Sequence, residues 1–244
     1  EDDIEIVTLE LILADLQQLE RAVEKLSRQV KGDKKWIPVL ELAQQMSSFL
    51  SGGSSLNTFE GRDSEAFQVL NKEMRFLTAK TVIFAANVDE NRLNQDDPCT
   101  VSVSRAAVER GGYFVKVGAF FEEELMDMPE VERQEFLALA GIRESALVQV
   151  VRTSYQALGL ISFFTMNERE VRAWTIPRGW VARQAAGVIH TDFERGFIRA
   201  EVIPFEVFDR YESLSRAREA GVIQIEGRDY PVRDGDILYI RSSI

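Results

Sequence analysis

Two residue types that build catalytic and metal sites are nearly missing from this sequence of 244 residues. It contains one cysteine, Cys99, and one histidine, His190. A single cysteine excludes an internal disulfide framework and a zinc site made of cysteines, and a single histidine leaves a Ser-His-Asp triad only one possible base. No segment fits GxxxxGK followed by Ser or Thr, the loop that holds nucleotide phosphates. The sequence therefore predicts that this chain on its own hydrolyses no nucleotide.

Long apolar runs and an excess of positive charge are also missing. The longest apolar stretch, near Leu9–Leu16, is interrupted by Glu10 and Asp15 and is too short to span a bilayer. We therefore expect no association with a membrane. Lysine and arginine number 29 against 40 aspartate and glutamate residues, a net charge of −11. This balance argues against a protein that grips any polyanion.

Lysine is absent from residues 166–244, which carry twelve arginines and thirteen acidic residues. The planar guanidinium group of arginine suits contacts with phosphates and bases. Drift in the usage of lysine and arginine explains the pattern equally well. Under either explanation the composition changes near residue 165, which indicates a domain boundary there.

The N-terminal part of the chain has the apolar spacing of packed helices. Apolar residues recur at alternating intervals of four and three, as in a coiled-coil seam, at Ile12, Leu16, Leu19, Val23, Leu26 and Val30. A second run follows the charged segment 31–35, at Val39, Ala43, Met46 and Leu50. A third, short helix is predicted over Phe67–Leu77. We interpret these helices as an antiparallel arm; the alternative, a cofactor-binding stripe, lacks converging polar residues.

The next segment has the pattern of a βαβ unit. Residues Thr81–Ala86 form a continuous apolar run, typical of a strand buried on both faces of a parallel sheet. A helix near Val101–Glu109 and a strand over Tyr113–Val117 follow it. Ligands bind beyond the carboxyl ends of such strands, which here are the segments 87–90 (Asn-Val-Asp-Glu) and 118–120 (Gly-Ala-Phe).

The segment 87–90 suits a nucleotide base. The amide of Asn87 can reach the ring edge, and a carboxylate three residues later can discriminate between bases. An aspartate at this position can pair with the two adjacent N–H donors of guanine, and adenine does not present such a pair. Here the position is Glu90, and Val88 stands where a lysine could be. The segment therefore fits adenine better than guanine. Taken alone, this pattern of an asparagine and an acid is common in loops.

The remaining residues predict further helices and a small mixed sheet. An acidic helix over Glu122–Leu139 and a helix over Ser145–Leu158 precede the sheet. Strands are predicted over 171–176, 196–203, 221–225 and 237–241, with a short helical turn at 181–186 and one long helix over 205–220. A sheet crossed by one long helix is a β-grasp pattern. Within it, His190 beside Asp192 is either a general base or part of a turn held by side-chain hydrogen bonds.

Several long segments occur in a fixed order along the chain: DIEIVTLELILADLQQLERAVEKL, LTAKTVIFAANVDE, LGLISFFTMNEREVRAWTIPRG, QAAGVIHTDFERGFIRAEVI and EGRDYPVRDGDILYIR. Together they resemble the YchF/Obg-like ATPase family over nearly all of the chain, most weakly at 31–76. The resemblance implies an α/β fold in which a P-loop G domain with a parallel sheet is interrupted by a coiled-coil arm and followed by a TGS domain of the β-grasp type. On that pattern residues 1–15 and 76–160 are part of the G domain, 16–75 the arm, and 161–244 the TGS domain.

The resemblance also implies functional residues. The family's altered base-specificity motif, NxxE, falls on Asn87 and Glu90 and implies a preference for ATP over GTP. Val88 and the segment Gly118, Ala119 and Phe120 would line the base. A Ser-Ala-Lys type sequence is usual in that loop, and Gly118 and Phe120 depart from it. No catalytic residue and no metal ligand is assigned to this chain.

The family's P-loop, switch regions and Mg²⁺ ligands are expected before Glu1, so the parent protein would hydrolyse ATP, or less readily GTP, with Mg²⁺. The arm and the TGS domain would form a cleft that docks on a ribosome or another RNA-containing partner. Candidate phosphate contacts are Arg172, Arg178, Arg183, Arg195 and Arg199. We expect a cytoplasmic monomer, or a protein of an organelle stroma or matrix if a transit peptide precedes it.

Two other functions fit the same sequence. The chain could be a non-catalytic adaptor in which the arm and the TGS domain accompany a degenerate G-domain remnant. It could also be the TGS module of a synthetase or of a stringent-response protein, which the arm and the segment 87–90 make the poorer fit.

Overall fold

The computed structural model describes residues 2–167 and 170–243, and the chain divides into two compact units, Glu1–Thr153 and Ser154–Ile244. The elements that begin in the first unit are α1 (Asp2–Gly32), α2 (Ile37–Ser51), α3 (Glu65–Met74), β1 (Ile83–Asn87), α4 (Pro98–Glu109), β2 (Tyr113–Val117), α5 (Ala119–Met126), α6 (Glu130–Leu139) and α7 (Ala146–Ala157). Those that follow are β3 (Leu160–Met166), β4 (Val171–Pro177), α8 (Ala182–Ile189), α9 (Thr191–Arg195), β5 (Phe197–Pro204), α10 (Phe205–Tyr211), α11 (Leu214–Glu219), β6 (Gln224–Glu226) and β7 (Asp236–Ser242).

Helices α1, α2 and α3 share one apolar core. Leu19 of α1 and Met46 of α2 are fully buried in it, together with Phe67 of α3. These are positions of the apolar spacing in the sequence, because residues three and four apart lie on one face of a helix. Helix α3 ends at Met74 rather than at Leu77, since Arg75 adopts a left-handed backbone conformation with φ of 54°.

The acidic residue that interrupts the apolar run of α1 has a structural role. Asp15 is only 1% exposed and accepts hydrogen bonds from the backbone N–H groups of Leu77 and Thr78, at 2.9 and 2.7 Å. Its second oxygen also accepts from Thr78 Oγ1 at 2.7 Å. A buried carboxylate is tolerated only when hydrogen bonds replace its water, so Asp15 fixes the segment that leads into β1 against α1.

Strands β1 and β2 are parallel neighbours with α4 between them, which confirms the predicted βαβ unit. The expectation that β1 is buried on both faces is wrong, because its residues are half-buried or exposed and Val82 before it is 39% exposed. Helix α4 begins at Pro98, earlier than predicted, because Asp97 caps it by accepting from the N–H groups of Cys99 and Thr100.

The predicted acidic helix over 122–139 is two helices, α5 and α6. Pro129 precedes α6 in an extended conformation, with φ of −56° and ψ of 148°. Because proline lacks the N–H group that a continuous helix requires, the two segments separate there. Within the described residues, no helix combines the length and apolarity that crossing a bilayer requires.

The second unit contains a mixed five-stranded sheet in the order β4-β3-β7-β5-β6. Strands β3 and β7 are parallel, whereas the pairs β3–β4, β5–β7 and β5–β6 are antiparallel. Both faces of this sheet carry an apolar core. One core contains Phe163, Val202 and the alanines of α8, and the other contains Ile203, Ile237 and Ala217 of α11.

The predicted elements of this unit need three corrections. The helix over 205–220 is divided into α10 and α11, because Glu212 adopts φ of 54° and ends the first segment. Strand β3 was not among the predicted strands, although it pairs with both β4 and β7. Its apolar run Leu160–Phe164 directly follows the helical pattern of α7, with only Gly159 to separate the two. The helix at 181–186 extends to Ile189.

Candidate functional site

The ends of β1 and β2 are joined by two hydrogen bonds. Asn87, the last residue of β1, accepts a hydrogen bond through Oδ1 from the backbone N–H of Ala119 at 3.1 Å. The N–H of Val88 donates to the carbonyl oxygen of Val117 at 2.8 Å. These bonds bring the segment 87–90 beside the segment 118–120, as expected for neighbouring parallel strands.

Glu90 lies free at the edge of this arrangement. It is exposed, begins a single 3₁₀ turn over Glu90–Arg92, and its side chain forms no hydrogen bond or ion pair within residues 2–167 and 170–243. An open groove of about 480 Å³ adjoins it, lined by Glu90, Asn91, Asn94, Gln95 and Ala140. The Glu90 carboxylate is therefore available to accept hydrogen bonds from a ligand.

Two residues that the sequence did not single out hold the loop after β1. Lys116 of β2 donates through Nζ to the carbonyl oxygen of Gln95 at 2.8 Å and lies 3.0 Å from Asp96 Oδ1. Asn94 donates through Nδ2 to the carbonyl oxygen of Ala140 at 2.5 Å. Both contacts join residues distant in sequence, so no local spacing could have indicated them.

The Leu93 side chain lies close to Gly118. A Cβ atom at position 118 would lie 3.0 Å from Leu93 Cδ1 and 3.2 Å from its Cδ2, so a serine there would require a small shift of Leu93. Ala119 and Phe120 follow as the first residues of α5, and the Phe120 ring is 74% exposed. Because Glu122 N–H already donates to the Gly118 carbonyl, the N–H groups of Phe120 and Phe121 are in the turn that lacks acceptors within the helix.

The five candidate phosphate-binding arginines do not share one face of the sheet. Arg172 stacks over Trp174, with its guanidinium carbon 4.3 Å from the ring centroid, on the side of the sheet that α8 covers. Arg183 of α8 donates through Nε to the Glu194 carbonyl oxygen at 3.3 Å. Arg178 and Arg195 are exposed. Arg199 lies in register with Arg241, on the other face.

That other face contains two arginines that the sequence reasoning omitted. Glu201 is bound by Arg218 from α11 and by Arg241 from β7, each at 3.2 Å. Burial raises the pKa of Glu201, but the hydrogen bonds and charges of Arg241 and Arg218 outweigh it and hold the pKa below its ordinary value. The register between β5 and β7, which creates the cluster, is not visible in the sequence.

The single histidine belongs to a turn. His190 precedes α9, and its Nδ1 accepts the N–H of Asp192 at 3.2 Å. Asp192 Oδ2 lies 3.4 Å from the same nitrogen. This arrangement matches the turn held by side-chain hydrogen bonds rather than the general base. In the part of the chain that the structure describes, no three His, Cys, Asp or Glu side chains converge as metal ligands.

Known proteins are similar to this chain in both sequence and fold. A family profile named YchF-GTPase_C, described as "Protein of unknown function (DUF933)", matches residues 160–243. The ribosome-binding ATPase YchF of Haemophilus influenzae is 39% identical over all of this chain, which covers 66% of that protein. The protein of the same name from Bacillus subtilis is 36% identical, again over all of this chain, with 67% of its own length covered.

Two solved structures are also similar. The YchF GTPase of Schizosaccharomyces pombe matches 98% of this chain and 65% of its own length, with a TM-score of 0.82 and 29% identity. A GTP-binding protein of Pyrococcus horikoshii matches with a TM-score of 0.59 and 18% identity, which is a likeness of fold alone. The chain thus spans about two thirds of the length of its relatives. Its similarity over the whole of its own length places it in the YchF family.

Proposed function

We propose that this chain contains the base-reading part and the RNA-docking part of a nucleotide-binding protein that hydrolyses ATP. The proposal rests on the hydrogen bond from Ala119 N–H to Asn87 Oδ1, which joins the two strand ends that would flank a base. The names of the relatives, ribosome-binding ATPase, agree with an adenine nucleotide and a ribosomal partner. Within the parent, residues 1–15 and 76–160 would belong to a G domain, 16–75 to a coiled-coil arm and 161–244 to a TGS domain.

Each residue of the base site would have a distinct task. Glu90, exposed and free of partners among the described residues, would accept a hydrogen bond from the exocyclic amino group of adenine. The N–H of Phe120, at the open first turn of α5, would donate to the adenine ring. Asn87 would hold the Ala119 backbone in place, and Val88 and Gly118 would leave room for the ring. The described residues offer no cluster of ligands for Mg²⁺.

The test compares ATP and GTP on the full chain by following its backbone amide NMR signals during titration, which detects weak binding. We expect ATP to shift the signals of Val88 and Ala119 at lower concentration than GTP. Glu90→Asp should move the preference towards GTP by about tenfold, because a shorter carboxylate suits the paired donors of guanine, and tenfold corresponds to about 1.4 kcal/mol.

Asp89→Glu is the matched control, since it also changes the length of an exposed carboxylate without changing the charge, and Asp89 has no assigned role. If Glu90→Asp and Asp89→Glu give the same ratio of ATP to GTP affinity, Glu90 does not read the base. Absence of any nucleotide binding, together with retained RNA binding, would favour the non-catalytic adaptor.

A further inference from the structure

Two arginines bind one carboxylate on the face of the sheet that α11 covers. Glu201 Oε2 lies 3.2 Å from Arg218 Nη2, and its Oε1 lies 3.2 Å from Arg241 Nε. The Glu201 side chain is 13% exposed, whereas those of Arg218 and Arg241 are 62% and 56% exposed. The carboxylate therefore holds one edge of each guanidinium group, while the other N–H groups face solvent.

Arg199 adds a third positive charge to this cluster. It lies directly opposite Arg241 in the register between β5 and β7, so both side chains are on the same face. Among residues 2–167 and 170–243, Arg199 forms no hydrogen bond or ion pair, and it is exposed. Like charges directly opposite each other destabilise a sheet. Glu201 neutralises only one of the three charges, which leaves a local excess of positive charge in a chain whose net charge is −11.

One further arginine of α11 is already paired with a carboxylate. Arg216 of α11 pairs with Glu212 at 4.0 Å, on the exposed surface. It therefore neither adds to the excess positive charge nor removes it. Ile225, which lies in register with Glu201, is 66% exposed, so the surface beside the cluster is open.

We propose that Arg199, Arg218 and Arg241 form a binding site for the phosphates of an RNA backbone. Guanidinium groups bind phosphate oxygens through two parallel hydrogen bonds. Glu201 orients two of the three before any ligand arrives, which lowers the entropy cost of binding. Such an excess of exposed guanidinium groups suits a polyanion, and the RNA docking proposed above makes RNA the polyanion that we assign to it. The site rests on the RNA docking proposed above and names a surface for it.

The experiment measures binding of a fluorescent single-stranded RNA oligonucleotide to the full chain over a range of salt concentrations. Arg199→Gln, Arg218→Gln and Arg241→Gln together should weaken binding at least tenfold and reduce the slope of log affinity against log salt by about 0.7 for each phosphate that is no longer neutralised. The matched control combines Arg210→Gln, Arg216→Gln and Arg228→Gln, which removes the same charge from exposed arginines of the same unit and should leave binding within about twofold.

The single variant Arg199→Gln tests the site without disturbing the contacts of Glu201. Removing both partners of Glu201 destabilises the sheet, but Arg199→Gln removes no hydrogen bond among the described residues. We expect it alone to lower the salt slope by about 0.7. Arg199→Lys should restore the slope but only part of the affinity, because an ammonium group lacks the two parallel donors of a guanidinium group. A merely structural role for Arg199 would leave the salt slope unchanged.

The remaining outcomes separate this site from the broader function. If the wild-type chain binds RNA and the cluster variants bind as tightly as the control, the site is wrong and RNA docking stands. If the wild-type chain binds no RNA, both are wrong. Inorganic phosphate and polyglutamate serve as competitors. Displacement of RNA by polyglutamate at equal charge would assign the cluster to an acidic protein partner, and displacement by phosphate at equal phosphate concentration would assign it to free phosphate.

Discussion

At the scale of the residue, two tyrosines of the second unit show how differently buried hydroxyl groups contribute to stability. Tyr230 donates through Oη to Asp236 Oδ2 at 2.9 Å, and Asp236, which is 1% exposed, also accepts the Arg233 N–H at 2.9 Å. The Tyr239 hydroxyl is buried with no hydrogen-bond partner in the described part of the chain. Burial of an unpaired hydroxyl costs free energy, whereas a hydrogen bond to a buried carboxylate recovers it.

Replacement of each tyrosine by phenylalanine should affect the free energy of unfolding differently. Tyr230→Phe should lower the free energy of unfolding by about 1–3 kcal/mol, because it leaves a buried carboxylate without one of its donors. Tyr239→Phe should leave it unchanged or raise it by up to about 1 kcal/mol, because it removes a hydroxyl that has no partner. Urea denaturation at pH 7 measures both, and each variant is the control for the other. Equal losses in the two variants would contradict this explanation.

At the scale of the element, the burial of the apolar residues of α1 changes along its 31 residues. Its middle and C-terminal parts pack against α2 and α3 through residues such as Leu19, which is fully buried. Near its start, Leu9 and Leu13 are 53% and 54% exposed, although they belong to the same apolar stretch. Sequence spacing identifies a helix with an apolar face, but only the neighbouring elements decide which part of that face is covered.

Leu19→Ala and Leu13→Ala test this difference within one helix. Leu19→Ala should lower the free energy of unfolding by about 2–5 kcal/mol, since it leaves a cavity in a packed core. Leu13→Ala should change it by less than about 0.5 kcal/mol, as is usual at exposed positions. Chemical denaturation followed by circular dichroism gives both values. A large loss in Leu13→Ala would mean that a further surface covers this part of α1.

At the scale of the whole molecule, stability at alkaline pH depends on groups that titrate differently in the folded and unfolded chain. Burial, and then the hydrogen bond to Asp236, raise the pKa of Tyr230 to about 12. Burial also raises the pKa of Tyr239 to about 12. Both values lie above the ordinary tyrosine pKa of 10.0. As the pH rises past 10, the unfolded chain therefore loses these protons before the folded chain does.

This difference predicts a fall in the free energy of unfolding between pH 10 and about 12, which is the interval between the ordinary pKa of tyrosine and the raised pKa of both tyrosines in the folded chain. The contribution of the two tyrosines is fully present below pH 10. In the double variant Tyr230→Phe, Tyr239→Phe, the fall over this interval should be smaller than in the wild type. Urea denaturation at several pH values measures both curves, and parallel curves would show that other groups cause the loss.

The sequence by itself determined the features that depend on local spacing. The apolar intervals of α1 and α2, the strands β1 and β2 with α4 between them, and the segments at their ends all follow from periodicity and from turn chemistry. The long segments in their fixed order indicated the family, which similarity over the whole chain then established. These inferences succeeded because each depends on residues that are close together along the chain.

The tertiary structure decided which distant residues meet. The hydrogen bond between Asn87 and Ala119, the close approach of Leu93 to Gly118, and the cluster around Glu201 join residues separated by many positions in the chain. The tertiary structure also determines where two helices end, because Arg75 and Glu212 adopt left-handed backbone conformations that their residue types do not favour. Strand register places Arg199 beside Arg241 and away from Arg172. A shift of one residue in the strand register would move Arg199 to the opposite face of the sheet. The pattern of charges along the sequence therefore could not show on which face Arg199 lies.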